Sequence, residues 1–135
     1  MEPIRFSSAE HETFYHDMLN RCENQDCYRQ AFFYCIGITA ETRQNINTLF
    51  DFKNDCIRLT GLRQGWQTGG SIRLCRLAMN LWIGYVEKGK EKMCTPYTLF
   101  DCSFAPYFMQ AVQLRYEEYF RGDKTMAKAW ERFER

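Results

Sequence analysis

The stretch Gly65-Trp66-Gln67-Thr68-Gly69-Gly70-Ser71 runs a glycine-rich turn straight into an expected helix, and of all segments its residue types come nearest to chemistry. A helix N-terminus offers unpaired amide donors at the positive end of the macrodipole, and glycines let a phosphate or carboxylate approach the backbone closely. Arg73, Arg76 and Asn80 follow at spacings of three and four residues, which places them on one polar stripe, and Arg63 lies just upstream. Arg63, Trp66, Gln67, Thr68, Ser71, Arg73, Arg76 and Asn80 are therefore the candidate anion- or ligand-binding residues. The ligand would carry phosphate: a nucleotide or a nucleic-acid backbone. No Lys precedes Ser71, so the spacing departs from the phosphate loop of NTPases at its critical position. A second reading needs no ligand. In it the glycines make a tight turn, Ser71 caps the helix, Trp66 packs, and the arginines pair with acids such as Asp51, Asp55 or Asp101.

Other chemistries find less support. His11 and His16 stand five residues apart on the expected first helix, whereas two ligands on one helical face need a spacing of three or four, so no local metal pair is expected. His11, in line with Tyr15, Met18 and Cys22, reads as a partly buried, hydrogen-bonded histidine, and His16 as a solvated one. Nucleophilic catalysis would need a Cys or Ser activated by a base, and nothing in the local sequence singles out such a pair. The acids are scattered over solvated faces and mark no general acid-base pair. A non-enzymatic protein without cofactor or metal is expected.

Seven cysteines are an odd number, and the segment from Met1 to Phe6 has one Arg and no apolar core of the kind a signal peptide carries. Reduced thiols in a cytoplasmic protein are therefore expected, with Cys22, Cys35 and Cys75 acting as small buried hydrophobes. The formal net charge of +1 gives no overall field that would draw the chain to nucleic acid, and no run approaches the length of a membrane span. Aromatic residues make up 16% of the chain, enough to build the core from large plates and leave some rings at the surface, where they favour interfaces.

The elements that must position these residues read as helices. Ser7 followed by Glu10 is a capping-box pattern for a first helix beginning at Ser7 or Ser8. Asp26 caps a second element through the apolar run from Ala31 to Ile38, a helix ending near Gly37. Thr39 caps a third with Ile46, Leu49 and Phe50 as its stripe, ended by Asn54 and Asp55. Residues 56–70 read as an irregular connection with a short strand near 56–59. Ser71 then caps the most hydrophobic helix, about 71–87, in which Leu74, Cys75, Ala78, Leu81, Trp82, Tyr85 and Val86 cover more than half the circumference. Thr95-Pro96 starts a short helix, Ser103 opens another that stops at Gly122, and Asp123 caps a last amphipathic helix through Met126, Trp130 and Phe133. At 135 residues the chain has the length of one domain. The fold class expected is mainly α, a compact single-domain bundle of about six helices around the central helix.

Cys27-Tyr28-Arg29-Gln30-Ala31-Phe32-Phe33-Tyr34-Cys35-Ile36-Gly37, Glu41-Thr42-Arg43, Leu49-Phe50-Asp51-Phe52, Gly65-Trp66-Gln67-Thr68 and Arg76-Leu77-Ala78-Met79-Asn80-Leu81-Trp82 together resemble a family of small proteins of Gram-positive gut-type bacteria, their prophages and conjugative elements. The likeness spans roughly Ser8 to Tyr119 and leaves out the last helix. It implies an accessory protein of mobile DNA that binds a host, phage or defence protein, with a homodimer as one form. It carries no activity, cofactor or site residue with it.

Overall fold

In the computed structural model, residues 3–120 are described, and twelve of them begin the fold as α1 (Ala9–Asn20). Its cap is Ser8 and not Ser7: the Ser8 hydroxyl accepts from the His11 amide at 3.0 Å, while the Ser7 hydroxyl turns to the carbonyl of Ile38. Both are serines, so the sequence leaves one residue of slack. Asp26 caps α2 (Cys27–Ile36), accepting from the Arg29 amide, and Gly37 closes it as expected. Thr39 caps α3 (Ala40–Gln44).

The third expected helix does not continue. Asn45 leaves helical geometry, α4 (Ile46–Leu49) forms a single turn, and Phe50–Asp51 becomes strand β1, paired antiparallel with β2 (Cys56–Ile57). Asp51 explains the break, since its carboxylate accepts from the amides of Lys53 and Asn54 and so draws the chain into a turn. Asp55 completes that turn with φ of 56°, a left-handed conformation that Asp tolerates better than most residues. The strand expected near 56–59 thus exists as β2, with a partner that the helical spacing of Leu49 and Phe50 concealed.

After a 3-10 turn (Leu59–Arg63) comes α5 (Gly69–Ile83), the longest described helix. It stops earlier than expected, at Gly84 with φ of 71°, so Tyr85 and Val86 lie beyond it. A second 3-10 turn (Glu91–Met93) leads to α6 (Pro96–Leu99) after Thr95. The next helix, α7 (Ala105–Arg115), follows Phe104 rather than Ser103 and has no side-chain cap. It breaks at Tyr116, and α8 (Glu117–Phe120) follows. Gly122 and the helix expected from Asp123 lie outside the described residues. The expected bundle of about six helices is thus divided further by the breaks at Asn45 and Tyr116.

The protein is mainly helical, with one short two-stranded sheet among the described residues. Residues Ala31 to Ile38 are all buried, and α2 packs on α5, α7 and α1, so α2 shares the centre with α5. The aromatic plates meet mostly edge to face. Phe32, Phe33, Phe50, Phe52 and Trp82 form one cluster, in which Phe33 and Phe52 stack parallel, and Phe100, Phe104 and Phe108 form another at the start of α7. The buried Arg29 joins them to the turn, bonding Asp26 and Asp55 with its guanidinium 5.1 Å from the Trp82 ring. Asp55 is indeed an arginine's partner, but the arginine is on α2 rather than on α5. Ahead of α1, the Tyr34 hydroxyl donates to the Arg5 carbonyl and the Arg5 amide to Gln110, which ties the N-terminal segment to α2 and α7.

Candidate functional site

The glycine-rich turn caps α5 by a reciprocal box centred on Thr68, not on Ser71 as expected. The Thr68 hydroxyl accepts from the Ser71 amide at 3.2 Å and the Thr68 amide donates to the Ser71 hydroxyl at 2.7 Å. Ser71 is the third helical residue and is buried. Its hydroxyl donates on to Gln67 Oε1 at 2.6 Å, and Gln67 Nε2 donates to the Gly61 carbonyl at 2.9 Å. The Trp66 indole N–H reaches Thr48 at 3.2 Å. At the mouth of the turn the Thr68 hydroxyl also donates to Glu41 Oε1 at 3.3 Å, so a carboxylate of the chain itself sits at this helix N-terminus, where the dipole favours negative charge.

The polar stripe is engaged in the same way. Arg73 donates to the carbonyls of Thr98 and Asp101 at the end of α6, using the backbone of Asp101 and not its acid. Arg76 Nε donates to Glu87 Oε1 at 2.7 Å, a pair whose side chains are only 11% and 19% exposed. Asn80 donates to the Tyr85 carbonyl just past the end of α5. Arg63 is apart from the rest: it is exposed and has no side-chain partner among the described residues. The structure therefore brings seven of the eight candidates into bonds within the fold and leaves Arg63 outside them.

The two histidines separate as their spacing implies. His16 is exposed, while His11 is wholly buried and its imidazole is held at both nitrogens. Among the described residues no group of three or more His, Cys, Asp or Glu side chains could hold a metal ion. Of the cysteines expected in the core, Cys35 and Cys75 are buried, but Cys22 is half-buried. Its position just past the end of α1, where its thiol donates to the Met18 carbonyl, leaves it half-buried.

A different cluster gathers where α2 begins and α5 and α7 end. Arg115 Nε donates to the Leu81 carbonyl at 2.9 Å and so satisfies a last-turn acceptor of α5, while Nη1 lies 3.7 Å from Cys27 Sγ. Its guanidinium faces the Tyr28 ring at 3.9 Å and the Tyr116 ring at 4.7 Å. Both tyrosines are exposed, Tyr28 meets Trp82 edge-on, and Ile83 beside Trp82 is 58% exposed. Cation-π contacts hold the planar group rigid against the rings. The sequence shows only the neighbours Arg115-Tyr116 and Cys27-Tyr28; their meeting across 88 residues depends on how α2 and α7 pack.

A small, mainly helical domain with a tied-off helix cap and an exposed aromatic and guanidinium cluster at one end is what the fold and the site define. The chain belongs to DUF6075, a family of unknown function, whose model matches residues 1–128. The match extends past Tyr119, where the resemblance read from the sequence was expected to stop, and takes in the start of the segment from Asp123. Comparison with curated proteins finds no match, and neither does comparison with solved structures.

Proposed function

We propose that this is a small non-enzymatic binding protein that acts by protein-protein contact through the end formed by Tyr28, Ile83, Arg115 and Tyr116. The observation that carries the reading is the Arg115 guanidinium in cation-π contact with two exposed tyrosine rings. Tyr, Trp and Arg are the residues that dominate binding energy at protein interfaces, because they bury much area for few rotatable bonds. Arg115 is already fixed by the Leu81 carbonyl, so little side-chain entropy is left to lose on binding. The resemblance to proteins of prophages and conjugative elements supports a cytoplasmic host, phage or defence protein as the partner.

The test is an affinity capture from the Gram-positive host with wild type and Tyr28→Ala/Tyr116→Ala side by side, plus light scattering of both. The expected result is one protein, or a second copy of the chain, retained by wild type and lost by the variant at equal melting temperature. A strict monomer whose captured proteins are the same for both forms overturns the reading.

A further inference from the structure

The segment between α5 and α6 carries Lys88, Lys90 and Lys92 within five residues, all exposed and none paired with an acid among the described residues. Of the local acids, Glu87 is paired with Arg76, while Glu91 accepts from the Gly89 amide at 3.0 Å, a bond that holds its carboxyl below the ordinary range, so it stays ionised and offsets one of the three lysine charges. Asp101, exposed at the far end of α6, is the next acid along the chain. The loop is nevertheless well built: Gly89 turns it with φ of 83°, and the hydroxyls of Thr95 and Thr98 both donate to the Lys92 carbonyl. Arg73 clamps α6 to α5 from the other side.

On this base stands Tyr97, 92% exposed, the most open large apolar side chain of those described. A ring so exposed adds nothing to the core. It presents its faces to solvent five residues from Lys92, and the bonds of Thr95 and Thr98 bring its turn onto the Lys92 carbonyl. Three exposed lysines without an acidic partner, on a loop whose Lys92 carbonyl is bonded to the turn that carries an open aromatic ring, match the two parts of an unstacked nucleotide, since lysine neutralises phosphate and a ring stacks on a base of any identity.

We propose that Lys88, Lys90, Lys92 and Tyr97 form a weak, sequence-tolerant site for single-stranded nucleic acid, built from residues that neither the glycine-rich turn nor the Arg115 cluster uses. The lysines take successive phosphates and Tyr97 takes one base. A duplex keeps its bases stacked and offers nothing to the ring. An acidic protein surface would meet the lysines but would not depend on the ring.

Fluorescence anisotropy of the full chain with a labelled oligo(dT) of about 12 nucleotides tests this, 12 lying within the site sizes of single-strand binders. Three phosphate contacts predict a salt slope of about −2, so affinity should fall about 100-fold for each tenfold rise in salt. Lys88→Glu/Lys90→Glu/Lys92→Glu should abolish binding. Tyr97→Ala should weaken it about tenfold or more, and Tyr97→Phe should retain it. All are surface changes, checked by unchanged melting temperatures. No binding at low salt overturns the proposal, as does binding indifferent to Tyr97→Ala. Equal competition by polyglutamate or equal binding of duplex also overturns it, pointing instead to an acidic protein or to simple polyanion attraction.

Discussion

The Nε2 of His11 stands 2.7 Å from the carbonyl oxygen of Tyr34, and this contact fixes the state of the imidazole. The Ser7 amide can only donate, and it does so to Nδ1 at 3.0 Å, so Nδ1 is the acceptor and Nε2 carries the proton that Tyr34 receives. The ring is neutral. Burial pushes its pKa down to about 4, with the Arg43 charge adding to the effect against the raising influence of the Tyr34 bond.

The first prediction is the pH dependence that follows. The unfolded chain binds a proton at His11 near its ordinary pKa of 6.5 and the folded chain only near 4, so the histidine's contribution is fully present above 6.5 and is lost as pH falls toward 4. The full loss is about 3 kcal/mol, and about 2 kcal/mol of it should appear between pH 7 and pH 5. Urea unfolding of wild type and His11→Gln at both pH values checks it. Carboxylates titrate in both proteins, so the expected result is a flatter pH profile in the variant; parallel profiles would refute the assignment.

Glycine spacing supplies the second prediction. A Cβ at Gly37 would stand 2.6 Å from His11 Cδ2, and one at Gly61 would stand 2.5 Å from the Thr48 carbonyl oxygen, whereas at Gly65 and Gly69 it would meet nothing within 4 Å. Gly37→Ala and Gly61→Ala should each cost about 1 to 3 kcal/mol by forcing packed groups apart. Gly65→Ala and Gly69→Ala should be neutral or stabilise by up to about 1 kcal/mol. Thermal melts of the four variants give the comparison, and equal losses at all four would contradict it.

Which features the sequence made legible follows a physical line. Asp26 and Thr39 each bond an amide in the first turn of their helices, and each was readable; Thr95 stands at the cap position of α6, but its hydroxyl bonds the Lys92 carbonyl instead. At Ser7-Ser8 and Thr68-Ser71 two hydroxyls compete for one role; a tertiary partner, Ile38, takes Ser7, while Ser71 is taken by Gln67 of the same turn, itself held by the Gly61 carbonyl. The strand at Phe50 was hidden because Ile46, Leu49 and Phe50 keep helical spacing while Asp51 diverts the backbone. The polar stripe of Arg73, Arg76 and Asn80 was correctly placed on one helix, but its partners lie on segments whose approach no local pattern encodes. The meeting of Arg115 with Tyr28 was invisible for the same reason.

Thiol exposure gives a third prediction, and it revises the expectation that Cys22 is buried like Cys35 and Cys75. Cys56 is exposed on β2, Cys22, Cys27, Cys94 and Cys102 are half-buried, and Cys35 and Cys75 are buried. Burial pushes the Cys75 thiol up to about 12 and the Cys35 thiol higher still, so neither forms thiolate at neutral pH. Maleimide labelling followed by mass spectrometry should modify Cys56 first, the four half-buried thiols more slowly, and Cys35 and Cys75 only after denaturation. Early labelling of Cys35 or Cys75 would place the α2–α5 contact elsewhere.

The last prediction concerns Arg76, the strongest charged member of the stripe read from the sequence. Its Nε–Glu87 bond is short, both side chains are largely withdrawn from water, and Glu87 anchors the loop in which the Lys90 amide donates to the Glu87 carbonyl. Arg76→Ala strands the Glu87 carboxylate, so it should destabilise the fold by about 2 to 3 kcal/mol, the scale of a charged hydrogen bond in a partly buried setting. Glu87→Gln keeps a hydrogen-bond acceptor and should cost less. Combining the two changes should cost less than their sum, because the second removes the charge that the first leaves unpaired. Inorganic phosphate should leave the melting temperature of wild type unchanged. A stable Arg76→Ala whose only defect is lost stabilisation by phosphate would assign the guanidinium to a ligand in place of Glu87, whereas a positive coupling between the two substitutions with no phosphate response assigns it to the fold.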